Sequence, residues 1–139
     1  MKGFIADIEE RTEKNPDFRH VIYTGPNMQL VLMSLEPGEE IGAEVHEHTD
    51  QYFRVEEGKG VIVMDGKETA IESDTAIVVP AGMRHNVRNT GSKALKLYTI
   101  YAPPEHAGRH HDRRVAFDRR LLPVHHDHSL ALLDPKELV

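Results

Sequence analysis

The chain contains no cysteine. That absence excludes disulfide bonds, thiolate metal sites and thiol nucleophiles together. It also contains no run of about 18 apolar residues, so no segment reads as a membrane-spanning helix. The opening stretch, Met1 to Glu10, is acidic and lacks the apolar centre of a secretory signal; a cytoplasmic location is the expectation. Positive charge is scarce as well. The net charge of −6 is spread along the chain, which argues against nucleic acid and anionic membranes as principal partners. Only residues 109–120 are locally basic, and Asp112 and Asp118 interrupt them. There is no glycine-rich phosphate loop, internal repeat or low-complexity tract. Ser34, Ser73, Ser92 and Ser129 all lie outside any nucleophile-elbow context. With 139 residues, one domain with an ordinary core is expected.

Histidine, by contrast, is plentiful, with ten in the chain. His46 and His48 lie two apart, and in an extended strand positions i and i+2 share a face. Two imidazoles so placed can grip one cation through their ring nitrogens. A third histidine, His85, follows the turn Pro80-Ala81-Gly82 and begins another strand-like stretch.

The rest of the chain is read mostly in strands. Residues 3–14 suit a short amphipathic helix with Phe4, Ile5 and Ile8 on one side, stopped by Asn15-Pro16-Asp17. Strands are expected over 18–24, 28–35, 41–48, 51–56, 61–64, 68–71, 75–79, 85–89 and 94–102. Residues 28–35 are apolar at nearly every position, which suits a strand covered on both faces. Asp65-Gly66 marks a tight hairpin. Thr49-Asp50 breaks the alternation after His48; beyond it Gln51, Phe53 and Val55 share one face. Short strands at this spacing indicate an all-β barrel or sandwich. The expected organisation is an N-terminal arm over 1–25, a barrel over 26–105 and a His/Arg-rich irregular extension over 106–139.

The two histidine blocks resemble the paired motifs of the cupin superfamily, G-x5-H-x-H-x3,4-E-x6-G and G-x5-P-x-G-x2-H-x3-N. His46 and His48 supply the H-x-H, and Gln51, with six residues between it and Gly58, stands in place of the glutamate. Pro80, Gly82, His85 and Asn89 fill the second motif at every internal spacing. In this alignment Glu40 occupies the first glycine position, and Asp74 that of the second motif. Only Thr49 and Asp50 separate His48 from Gln51, one residue fewer than the motif asks. The resemblance implies a double-stranded β-helix (jelly-roll) barrel with one divalent metal on His46, His48, Gln51 and His85. The metal could be Zn, Ni, Fe, Mn or Cu.

Four neutral donors would leave a dication its full charge, which favours a small anionic ligand or substrate. The resemblance thus points to a small metal-dependent isomerase or lyase acting on an anionic carbohydrate or organic acid, and a homodimer is the expected assembly. A binding or sensing module with a structural metal, and an Fe or Cu dioxygenase, stand as alternatives. Tyr101 is the candidate acid or hydrogen-bond donor of the cavity. Asp50 is a candidate to orient a ligating histidine, and His106 is placed to fold over the mouth. The clusters at His110-His111-Asp112 and His125-His126-Asp127-His128 have ligand-like composition without a strand pattern.

Overall fold

The computed structural model describes residues 2–106 and the backbone of 111–112. One helix, α1 (Ile8–Lys14), precedes nine strands: β1 (Arg19–Thr24), β2 (Gln29–Leu35), β3 (Asp50–Glu57), β4 (Lys59–Met64), β5 (Lys67–Glu72), β6 (Ala76–Val79), β7 (His85–Asn89), β8 (Leu95–Ala102) and β9 (His111–Asp112). They form a six-stranded sheet in the order β6-β3-β8-β2-β1-β9 and a three-stranded sheet in the order β5-β4-β7. Every pairing within them is antiparallel. Inward residues of both sheets, among them Phe53, Val55 and Leu97 from the large one and Ile62, Ile71 and Val87 from the small one, meet in one buried cluster. This is the all-β jelly-roll expected from the sequence.

Alternation decides which side chains face that core. Gln51, Phe53 and Val55 point inward from β3, while Tyr52, Arg54 and Glu56 lie on its partly exposed outer side. On β8 the inward set is Leu95, Leu97, Thr99 and Tyr101. In β2 every residue from Val31 to Leu35 is buried, as its unbroken apolar run requires. Helix α1 packs near β2, β3 and β8. It begins later than the apolar pattern suggests. Asp7 caps it by accepting a hydrogen bond from Glu10 N at 3.1 Å, so Phe4 and Ile5 precede the helix, 41% and 97% exposed. Thr12, its hydroxyl bonded back to Ile8 O at 2.7 Å, is the residue α1 buries. Strand β1, expected in the N-terminal arm, is built into the large sheet beside β2. Among the described residues no helix is long and apolar enough to cross a membrane.

The strand expected over 41–48 forms differently. Residues 38–46 run antiparallel to β7: Gly38 N donates to Asn89 O at 3.0 Å, Ile41 N to Val87 O at 2.9 Å, and Glu44 and His85 exchange both backbone bonds. Two residues separate Ile41 from Glu44 where one separates Val87 from His85, so this edge carries a bulge. Gly42, with φ at 104°, takes up the extra residue, and its N–H donates to Asn86 Oδ1 at 2.9 Å. The bulge resets the inside-outside parity. Ile41, Glu44 and His46 are all buried, which no single alternating strand could arrange.

The turns give one stability test. At the Asp65-Gly66 hairpin both residues have positive φ, 49° and 83°, and a Cβ on Gly66 would meet nothing within 4 Å. Gly58 also has positive φ, at 95°, but there a Cβ would sit 2.6 Å from Ala94 O, which is backbone and cannot swing away. Both alanine variants take on the left-handed strain of about 1–2 kcal/mol. Only Gly58→Ala adds a backbone displacement. Calorimetric melting should show Gly58→Ala falling several degrees further than Gly66→Ala; equal shifts would show that the β3–β4 connection gives way freely.

Candidate metal centre

Four side chains converge at one end of the barrel. Glu44 and His46 come from the bulged 38–46 edge, His85 is the first residue of β7, and Gln51 is the second of β3. All four are buried, at 3%, 3%, 3% and 2% exposure. His46 Nε2 lies 2.9 Å from Glu44 Oε2, and His85 Nε2 lies 3.0 Å from Gln51 Oε1. Glu44 Oε2 is also 3.9 Å from His85 Nε2. Glu44, His46 and His85 each offer a ligand atom within 4.8 Å of the others and could hold a metal ion.

The far side of each ring is fixed as well. His85 Nδ1 is 3.0 Å from Met83 O, and His46 Nδ1 is 3.0 Å from Glu105 Oε1. A backbone carbonyl and a carboxylate accept there, so Nδ1–H is the tautomer that would leave each Nε2, which is turned into the centre, free to hold a metal. Gln51 is oriented in the same way: its Nε2 donates to Thr99 Oγ1 at 3.0 Å, which leaves Oε1 facing His85. Around the centre, then, two imidazole nitrogens, a carboxylate and an amide oxygen face one another. A cation among them, whether proton or metal, is what such an arrangement calls for. Nitrogen and hard oxygen donors in this ratio fit a divalent transition metal.

Of the residues picked from the sequence, the structure brings together His46, Gln51 and His85. His48 lies elsewhere, exposed on a turn formed with Glu47. The reason is local. Gly82 N donates to His46 O at 2.8 Å, the last bond holding this edge to the 80–82 turn; the chain then turns and crosses to the large sheet before β3 begins. Asp50 does not orient a histidine; its Oδ1 accepts from Ala81 N at 2.8 Å and steadies the Pro80 turn. The carboxylate on a histidine's distal nitrogen belongs to Glu105, which no sequence motif singles out. Tyr101 is buried, its ring edge-on to His46 at 5.6 Å between centroids. His106 is buried with its ring edge-on to that of Tyr101, 4.9 Å between centroids. The clusters at 110–112 and 125–128 have no described side chains.

Residues 31–101, half of the chain, match the cupin domain family. The chain belongs to the cupin family. This cupin is 47% identical to the uncharacterized protein YrkC of Bacillus subtilis over 112 residues, 76% of this chain and 60% of YrkC. It therefore spans less than two thirds of that relative's length. It is 42% identical to the uncharacterized protein L612 of Acanthamoeba polyphaga mimivirus over 107 residues, 74% of this chain and 67% of that protein. Among solved structures, BH2720 of Bacillus halodurans superposes with a TM-score of 0.79 at 44% identity, covering 81% of this chain and 89% of the other.

With the geometry known, the first cupin motif aligns two residues earlier than the H-x-H suggests. Gly38, Glu44, His46, Gln51 and Gly58 then fill G-x5-H-x-H-x4-E-x6-G with every spacing intact. Glu44 takes the place of the first histidine, and His46 that of the second. The missing residue and the misplaced glycine of the other alignment both disappear. In the second motif Asp74 stands for the glycine and adopts the left-handed backbone that glycine would, with φ at 69°. The charge count changes too. Glu44 brings a carboxylate, so a dication on this cupin's donors would keep one formal positive charge and not two.

Proposed function

We propose that this cupin is a divalent-metal enzyme, an isomerase or lyase acting on a small anionic carbohydrate or organic acid. In this reading Glu44, His46, Gln51 and His85 hold the ion. The observation that carries the proposal is the convergence of four donor groups, three of them already tied on their far side, His46 to Glu105, His85 to Met83 and Gln51 to Thr99. Pre-oriented donors of this kind need little reorganisation to take a metal. A divalent ion there supplies Lewis acidity toward a substrate oxygen.

The protein's own groups account for the rest. With an ion held by Glu44, His46, Gln51 and His85, the residual positive charge in this buried barrel end would attract a carboxylate or an α-hydroxy oxygen more strongly than it would in water. Glu105 puts a carboxylate against His46, with the Thr49 hydroxyl bonded to it, and these polar groups favour chemistry over passive storage of an apolar ligand. Glu105 keeps its side chain 28% exposed, so it touches both solvent and the centre.

The test is elemental analysis of untagged protein, followed by turnover assays on sugar acids and hydroxy acids with the bound metal restored. About one metal per chain, and turnover lost on chelation, is the expected result. A protein that takes up no divalent metal overturns the reading. One that holds metal and binds carboxylates without turning any over is a sensing module.

A further inference from the structure

Gln29 has no exposed surface, yet it carries a primary amide and sits on β2 one strand away from Tyr101. Its amide is saturated. Nε2 donates to Thr24 Oγ1 at 3.0 Å and to His106 O at 2.8 Å, while Oε1 accepts from Glu105 N at 3.1 Å and His106 N at 2.9 Å. Three of these four bonds hold the backbone of one dipeptide, much as a neighbouring strand would. That dipeptide lies just past the end of β8, where pairing with β2 has run out.

What Gln29 holds is a strap over the candidate centre. From it, Glu105 reaches Oε1 to His46 Nδ1 at 3.0 Å and accepts from Thr49 Oγ1 at 3.1 Å on Oε2. His106 lays its ring against Tyr101, which in turn meets His46 edge-on. One buried glutamine thus fixes a backbone whose carboxylate fixes a ligand ring from behind. Such a carboxylate sets the tautomer of the histidine and makes its other nitrogen a better donor.

We infer that Glu105 is the positioning residue of the metal centre, and that Gln29 is the latch that couples closure of the 103–106 strap to metal affinity. The inference rests on the metal reading above. Because coupling between two equilibria is reciprocal, closing the strap strengthens metal binding by the same factor by which metal favours the closed strap.

The experiment uses the full chain with Zn²⁺ as probe. Affinity is measured by chelator competition for the native protein, Glu105→Gln, Glu105→Ala, Gln29→Met and the Glu105→Ala/Gln29→Met pair. Hydrogen exchange at the amides of residues 105 and 106 is followed with and without Zn²⁺. Both Glu105 variants should bind Zn²⁺ more weakly, by about 10- to 100-fold, alanine more so than glutamine. Melting of the metal-free Glu105→Gln protein should barely change, since that side chain is partly exposed. Zn²⁺ should slow exchange at residues 105 and 106 in the native protein and lose that effect in Glu105→Ala, which a merely structural contact would not produce. Adding Gln29→Met to Glu105→Ala should cost no further affinity, because both act through one link. Unchanged Zn²⁺ affinity in both Glu105 variants overturns the positioning role, and additive losses in the pair overturn the latch. A native protein that binds no Zn²⁺, Mn²⁺ or Ni²⁺ takes down the metal reading itself, a result told apart because the native chain alone gives it.

Discussion

With His46 and His85 both replaced by alanine, the protein should hold no stoichiometric divalent metal, and its melting temperature should stop responding to metal or chelator. Native protein should respond strongly, since a ligand at 1,000 times its dissociation constant stabilises the folded state by about 4 kcal/mol. The variant leaves the histidines of the 106–139 extension in place, so retention of one tightly bound metal per chain would move the site there. Some loss of metal-free stability is expected too. The double substitution removes His46 and His85 from Glu44, a carboxylate with 1% side-chain exposure, and breaking a buried pair costs about 3–5 kcal/mol. Adding Glu44→Gln should recover much of that loss while leaving metal binding absent.

The second large effect comes from moving charge among the donors. Gln51→Glu preserves shape and adds one negative charge, and Glu44→Gln removes one from the other side of the same centre. Opposite unit charges about 4 Å apart attract by roughly 4 kcal/mol at an effective dielectric near 20, so changes of at least tenfold are expected. Gln51→Glu should tighten metal binding and weaken that of a simple carboxylate such as malonate. Glu44→Gln should do the reverse. Titration calorimetry with metal, then with malonate, reads both. Metal affinity unchanged by Gln51→Glu would remove Gln51 from the ligand set and leave Glu44 with the two histidines.

Much of this architecture is written in local pattern. Strands β2, β3, β6 and β8 declare themselves by alternation or by unbroken apolar runs, because each must present one face or both to a core. The second motif places His85 at the start of the strand that follows a Pro-x-Gly turn. Glu44 was harder to see. Two-residue periodicity assumes an unbroken pleat, and the bulge at Gly42 and the turn at His48 lie on either side of the ligands. The spacing mismatch in the H-x-H alignment was the available clue, and a shift of two residues resolves it. Gln29 and Glu105 left no such clue, being 76 residues apart in sequence and joined only when β2 and β8 pair. At the N-terminus, Ile8 and Phe4 look more buriable than Thr12. A seven-residue helix capped at Asp7 presents Thr12 to the sheet all the same.

The donors belong to different layers of the molecule: Gln51 stands on the six-stranded sheet, His85 on the three-stranded one, and Glu44 and His46 on an edge bonded to β7. An ion gripped by all of them acts as a rivet between the layers. The sheets cannot part at that end without first breaking coordination, so the ion adds to the barrier for opening. Its benefit should then appear in how long a folded molecule lasts under heat or denaturant, more than in how quickly the chain folds. Stripped of metal, the same barrel should open first at this end and survive longest at the other.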